Sequence, residues 1–424
     1  MFKLGKQNHW ETLSFTYLYR VPEKQDGKII STFLRLYVKG IKKQKAMSLL
    51  TVGVFGTSRK KQEKRVPIHP GHLNWIDQEV RNQLLFEEGY GLPFGMDDDK
   101  LSTLCAGVLS RAELFKRCDI ALLAKPVQAD FDDMKEGTIH WGWPHCVQQK
   151  EITQTAIDRK LTLIAWEAMH RWSSHGDWQM HIFQKNNEIA GYAGVNHAMN
   201  LIGIDGNYGP VRKAVVISFG SVSRGAVRAL QARGIQDISV FTQRNYFLVA
   251  DQMAGVNYYQ FEENEKGKLM SLHPDHQPRP FVEELIDADI IVNGKLQDTD
   301  HPLLFVPEDQ NDRIKPGCLI VDISCDEGMG FSFAKPTNFE SPIFKVGKAF
   351  YYAVDHSPSY LWNAATWEIS NSLTPYLPII MGGPEKWGKS ETIRRAIEIK
   401  DGIIQNPKIT TFQKRSSEYP HREL

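Results

Sequence analysis

Cysteine is scarce in this 424-residue chain: five residues (Cys105, Cys118, Cys146, Cys318, Cys325), odd in number and never spaced as a metal knuckle or a redox pair. That argues against a disulfide scaffold and a cysteine-based zinc module, and suits reduced thiols in the cytoplasm. Long apolar runs are missing too. No stretch approaches the roughly 18 consecutive apolar residues of a membrane span, and the opening residues lack the apolar core of a signal peptide. Neither membrane insertion nor classical export is therefore expected. Net charge is nearly absent, with 51 Lys and Arg against 50 Asp and Glu. A nucleic-acid-binding protein needs positive charge organised over a folded face, so none is expected as a partner.

The balance conceals an asymmetry. Residues 1–46 carry ten Lys and Arg against Glu11, Glu23 and Asp26, which leaves a mildly acidic remainder from Met47 onward. Residues Phe33 to Val38 suggest a short strand in this lead, which is an ordered appendage, a flexible lead or an over-long start. From Met47 the chain turns conventional. With 42% hydrophobic residues it can bury two cores, and its length suits two domains.

Strand and helix signals then alternate. Strands are expected at 49–55, Ile120 to Leu123, Thr138 to Trp141 and Leu161 to Ala165, and helical spacing runs from His69 to Phe86. Lys125, His145 and a basic loop containing Arg65 follow strand ends. Such positions suit an open α/β sheet, where ligands bind beyond the carboxyl ends of strands.

The clearest local chemistry lies at 214–244. Ala214 to Ile217 predicts a buried strand, Ser218-Phe-Gly220-Ser-Val-Ser223 a tight turn opening a helix, and Ile238 to Phe241 the next strand. A dinucleotide fold needs this order, because the pyrophosphate must approach backbone closely at a helix N-terminus. Ser218 and Ser223 stand where the G-x-G-x-x-G fingerprint has glycine, so an ordinary strand-turn-helix stays open. The second strand ends in Thr242-Gln243-Arg244, with no carboxylate for a ribose hydroxyl and one guanidinium able to pair with a 2′-phosphate. NADP(H) is thereby favoured over NAD.

A set of segments in order carries a family resemblance: Arg65-Val-Pro67, Glu87-Glu-Gly-Tyr-Gly91, Leu109 to Phe115, Gly142-Trp-Pro-His145, Ala190 to Val195, Asp289 to Gly294, Val321 to Asp326 and Ser357-Pro-Ser359. From about residue 50 to 400 the chain resembles the alanine dehydrogenase/pyridine nucleotide transhydrogenase superfamily, and within it the N5-(carboxyethyl)ornithine synthases. The resemblance implies an α/β fold with two Rossmann-like doubly wound domains and an active-site cleft between them. The implied division is 1–46 as an extension, 47–185 plus 355–424 as the catalytic domain, and 186–354 as the NADP(H)-binding domain. A cytoplasmic homo-oligomer acting on small molecules, without a metal, is also implied.

The implied chemistry is reductive condensation of a pyruvate-like 2-keto acid with the amine of an ornithine- or lysine-like amino acid. Arg65 matches the arginine that holds the keto-acid carboxylate, a fork of donors fitting two oxygens. Lys125 and His145 match the groups that orient the carbonyl and move protons, His145 as principal donor and Lys125 as clamp, with the two roles exchangeable. Asp326 matches the acid beside the nicotinamide. His356 and Tyr360, with Trp362, are expected to line the amine end. Candidate dinucleotide contacts are Ser218, Gly220, Ser221, Val222, Ser223, Thr242, Arg244, Asn293 and Gly294. Each site residue also has an ordinary alternative as a surface charge, turn former or satisfied loop residue.

Departures from the pattern matter. Asn187 and Tyr192 replace the Ser and Arg that bracket the Glu-x-Ala-Gly segment of alanine dehydrogenases, and His356 replaces an Asn of the synthases. Trp141 and Trp143 either narrow the pocket or are core. Two other classes stay open: alanine dehydrogenase-like deamination, and a non-catalytic NADPH-binding protein. Gly383 to Ser390 fits a P-loop letter for letter, but Pro384 removes a donor, Glu385 repels phosphate, and nucleotide hydrolysis is not expected.

Overall fold

A computed structural model describes residues 49–56, 58–273, 277–298 and 301–424. The expectations for residues 1–46 lie outside these.

Two sheets organise the described chain. The first has eight strands, in the order Ile403–Ile404, Ile397–Lys400, Thr162–Ala165, Ile139–Gly142, Ile120–Leu122, Val52–Val54, Leu84–Glu87 and Gly107–Leu109. The six from Thr162–Ala165 to Gly107–Leu109 run parallel, and the chain returns late to add Ile397–Lys400 antiparallel against Thr162–Ala165. The second sheet has nine strands. Its parallel centre runs Asn257–Glu263, Asp237–Thr242, Lys213–Ile217, Ile290–Asn293, Leu319–Asp322 and Ala349–Tyr352, with antiparallel strands at both edges. Both are doubly wound α/β sheets. Sequence order reverses at Val52–Val54 in one and at Lys213–Ile217 in the other, and ligands bind beyond the carboxyl ends of strands at such points.

Burial on both faces explains the strand composition. Val52, Val54, Ile120 and Leu122 are inaccessible, as are Ala214 to Ile217 and Ile290 to Val292. Unbroken Val/Ile/Leu runs are the mark of parallel strands covered by helices, each large side chain contributing roughly 1.5–3 kcal/mol.

Helix α1 (Gln184–Ile202) and helix α2 (Ser221–Ala232) pack with their backbones almost touching. A Cβ on Gly191 would lie 1.9 Å from the Val222 carbonyl oxygen, and one on Gly225 would lie 1.7 Å from that of Glu188. Only glycine permits this approach, which sets the start of α2 against α1.

Two local expectations give way. Helical spacing over His69 to Phe86 resolves into a 3₁₀ turn at Pro70–Trp75, a helix at Gln78–Arg81 and a strand at Leu84–Glu87. Pairing of Leu84 and Phe86 with Val52 and Val54 in the sheet overrides the periodicity. The P-loop-like segment lacks a preceding strand: Leu377–Met381 and Pro384–Trp387 are helical, Lys389 reaches Glu385 at 3.1 Å, and Ser390 caps the helix Glu391–Arg394. Ile397 to Ile399 is strand, held by the first sheet. No helix of the described residues is long and apolar enough to cross a membrane.

Candidate functional site

The basic loop leaving Val54 is pinned at both ends by the Glu-Glu-Gly-Tyr-Gly segment. Gly56 donates its N–H to Glu87 Oε2 (2.8 Å), while the Tyr90 hydroxyl accepts from the Ile68 N–H (2.9 Å) and donates to the Ile68 carbonyl (2.7 Å). Arg111 fixes Glu87 in turn, at 3.1 Å from Oε1, and reaches Asp130 Oδ1 at 2.7 Å. These matched segments therefore position the loop rather than face the cavity.

Within it, Arg65 is buried and held by Glu63. Its Nε and Nη2 donate to the two carboxylate oxygens at 2.8 and 2.6 Å, its Nη1 to Asn186 Oδ1 at 3.2 Å, and its guanidinium lies over the Trp143 ring at 5.1 Å. Ser359 adds a 2.6 Å hydrogen bond to Glu63. Burial opposes the charge on Glu63, but Arg65 outweighs it and brings the carboxyl down to about 2.

Arg65, Lys125, Trp143 and His145 line one cavity of about 190 Å³ with Asn186, Asn187 and Ala190 of α1, Val222 at the start of α2, Ile323, and Asp355 to Pro358 except His356. The two sheets thus contribute opposite walls. Lys125 Nζ donates to the Asp355 carbonyl at 3.4 Å; burial lowers its pKa, and Asp355 partly restores it. His145 adopts a left-handed backbone (φ 50°), with its N–H donated to Glu167 Oε1 at 2.8 Å and its Nδ1 3.8 Å from the same oxygen. Burial, then repulsion from Lys125 and Lys60, brings the imidazole down to about 3. It is neutral at physiological pH. Glu167 itself is held protonated well above the carboxylate range by burial and by Glu398. Asp355, in contrast, is driven below its ordinary value despite burial, by His356, Lys125 and Lys60.

The remaining sequence candidates divide. His356 places Nδ1 2.6 Å from Asp355 Oδ1 and lines a neighbouring cavity. Tyr360 is not brought to either: its ring stacks on His197 at 4.7 Å, and with Trp362 it borders a shallow outer depression. Asp326 lies in the loop after Leu319–Asp322 and does not line the cavity, although its neighbour Cys325 feels Lys125 and Asp355. Burial raises the Asp326 pKa. Trp141 is core, its indole N–H meeting the Met169 sulfur at 3.3 Å, whereas Trp143 forms cavity wall.

The turn before α2 fits a dinucleotide phosphate. Gly220 precedes the helix without a side-chain cap, and a Cβ there would meet nothing within 4 Å, so the helix end stands open beside Ser221 and Val222. Ser218 takes the left-handed conformation (φ 77°) that glycine usually supplies. Ser223 faces inward instead, donating to the Ile217 carbonyl at 3.2 Å, and a Cβ on Gly294 would lie 2.3 Å from its Oγ. Asn293 is likewise internal, donating to Asp322 Oδ1 at 3.0 Å. Thr242 Oγ1 accepts the Arg244 N–H (3.3 Å), and Arg244 Nη2 reaches the Phe219 carbonyl (3.3 Å), which lays the guanidinium across the turn. Among the described residues no group of three His, Cys, Asp or Glu could hold a metal ion.

Comparison with known proteins identifies the family. The model of the alanine dehydrogenase/PNT N-terminal domain matches residues 57–190, and that of the C-terminal domain matches residues 220–407. The chain belongs to the alanine dehydrogenase/PNT family. As a member it is a nicotinamide-dinucleotide oxidoreductase acting on CH–NH groups. It is 26% identical over 329 residues to N(5)-(carboxyethyl)ornithine synthase of Clostridium botulinum, covering 74% of this chain and 90% of that one. It is 22% identical over 332 residues to alanine dehydrogenase of Mycobacterium tuberculosis, covering 76% and 85%. A solved L-alanine dehydrogenase superposes with a TM-score of 0.68 at 18% identity, covering 86% of this chain and 99% of its own.

Against the family pattern, Glu63, Asn186, Glu167 and Asp355 are the site residues that sequence reasoning passed over. Glu63 is hidden in a run of lysines, and Asp355 sits beside the more conspicuous His356. Part of the network that gives their charges meaning lies far along the chain: Ser359 for Glu63, and Lys60 and Lys125 for Asp355.

Proposed function

We propose that this protein uses NADPH to join a 2-keto acid of pyruvate size to the amine of an ornithine- or lysine-like amino acid. The cavity that combines Arg65, Lys125 and His145 carries this reading. At about 190 Å³ it is small, which suits a keto acid of few atoms.

Arg65, already oriented by Glu63, binds the keto-acid carboxylate. The amine adds to the carbonyl carbon, water leaves, and the resulting imine is reduced to a secondary amine. The dinucleotide supplies the hydride when bound. His145, neutral and too weak a base to take a proton from an ammonium group, hydrogen-bonds the carbonyl oxygen as clamp. Lys125, its pKa lowered by burial, accepts the proton that the amine sheds and returns one to the departing oxygen. The depressed His145 pKa thus favours exchanging the two roles expected from sequence. Arg244 across the Gly220 turn supports recognition of a 2′-phosphate.

The test is NADPH consumption across a matrix of keto acids and amines, followed by product mass. Consumption is expected to require pyruvate and ornithine or lysine together, giving a product of their summed mass minus one oxygen. Arg244→Ser is expected to move the NADPH/NADH preference at least tenfold toward NADH. A folded protein inactive over the matrix overturns the proposal, and preferential use of ammonia replaces it with amino-acid deamination.

A further inference from the structure

A second cavity, of about 280 Å³, adjoins the first, with Asp355 in the lining of both. Its walls include Lys60, Lys61 and Gln62 from the basic loop, Glu340, and Asp355 with His356. We infer that this cavity is the subsite for the α-amino and α-carboxylate groups of the amino-acid substrate, whose terminal amine passes Asp355 to reach the keto acid. The inference rests on the proposed imine reduction and adds where the amine partner is recognised.

Charge of both signs converges here on a small volume. Lys60 and Lys61 offer cations for a carboxylate, while Glu340 and Asp355 offer anions for an ammonium. Lys60 is committed to Asp355 by an ion pair. Lys61 and Glu340 meet only at 3.4 Å with side chains 80% and 54% exposed, an arrangement worth little in water and readily exchanged for a ligand's charges. Below them, His356 is 1% exposed with Nδ1 on Asp355, and its Nε2 is buried without a hydrogen-bond partner among the described residues. A buried ring nitrogen left unpaired calls for an external partner.

The connecting geometry explains why one carboxylate serves both chambers. Lys60, Lys125 and His356 keep Asp355 ionised, so it attracts the incoming ammonium without taking its proton. Deprotonation is left to Lys125 beyond it.

Exposed residues allow a test that does not endanger folding. Lys61→Gln and Glu340→Gln are compared with wild type for KM of L-ornithine and of pyruvate, and for kcat/KM with n-propylamine, which lacks both α groups. Lys389→Gln, in an exposed pair elsewhere, serves as control. Each test variant is expected to raise KM for ornithine about tenfold, move KM for pyruvate less than twofold, and lower the ornithine/propylamine ratio of kcat/KM about tenfold. Unchanged ornithine KM in both variants with an active wild type overturns the subsite and leaves the reaction standing. Calorimetric titration of L-ornithine separates the other failure: binding by an inactive wild type that weakens in Glu340→Gln keeps the subsite and rejects the reaction, and absence of both binding and turnover rejects both.

Discussion

At the residue scale the decisive pairing is Glu63 with Arg65. A guanidinium reaching into a cavity has many rotamers, and binding a carboxylate with it costs the entropy of fixing one. Glu63 fixes Arg65 beforehand through two hydrogen bonds, while Asn186 holds the third nitrogen. The linkage has a definite sign. The Glu63 carboxyl titrates at about 2 when folded, below its usual 4.5, so its contribution is complete above pH 4.5 and disappears as pH falls toward 2. That shift corresponds to about 3 kcal/mol. Glu63→Gln is expected to lose stability of this order at pH 7, to converge with wild type near pH 2 in urea denaturation, and to raise KM for the keto acid at least tenfold.

At the scale of elements, the contact of α1 with α2 governs the cavity wall. Val222 lines the site because Gly191 and Gly225 allow the two helices to meet backbone to backbone. Gly225→Ala would force them apart against a carbonyl 1.7 Å from the new Cβ, at a cost of about 1–3 kcal/mol or more. Both stability and dinucleotide affinity are expected to fall. Gly220→Ala behaves differently, since its Cβ meets nothing within 4 Å. Stability should change by less than about 1 kcal/mol, while the methyl group would intrude on the proposed pyrophosphate site. Cofactor titration alongside denaturation distinguishes packing from recognition.

For the molecule as a whole, buried titratable groups predict a stability dome. His140 and His181 are lowered by burial to about 3 and about 4, so their contributions are complete above pH 6.5 and fade as pH falls through those values. Glu167 and Glu398 act oppositely. Burial raises both, and their contribution, complete below pH 4.5, is lost as pH climbs through their raised values. The opposing slopes place maximum stability between pH 4.5 and 6.5. Glu398→Gln should match wild type near pH 4 and exceed it at pH 9 in denaturant titrations; an alkaline limb unchanged in the variant would show that this pair does not cause it.

The sequence by itself determined the fold class and the family. Runs such as Ala214 to Ile217 bury both faces wherever they lie, and ordered segments from Arg65 to Ser359 survive as local patterns. It also put Arg65, Lys125 and His145 after strands. It did not reveal that Leu84 to Phe86 would join a sheet, because periodicity is local and strand pairing with Val52 to Val54 is not. Only the tertiary structure gathered Arg65, Lys125 and His145 into one cavity, turned Tyr360 outward, and made Asp355 the wall between two chambers. The physical reason is that a charge acquires its ionisation and its task from partners: Glu63 from Arg65 and Ser359, Asp355 from Lys60, Lys125 and His356. Arg65 and His356 are close in sequence to the groups they act on, but Ser359, Lys60 and Lys125 reach theirs across distances in sequence that no motif spans.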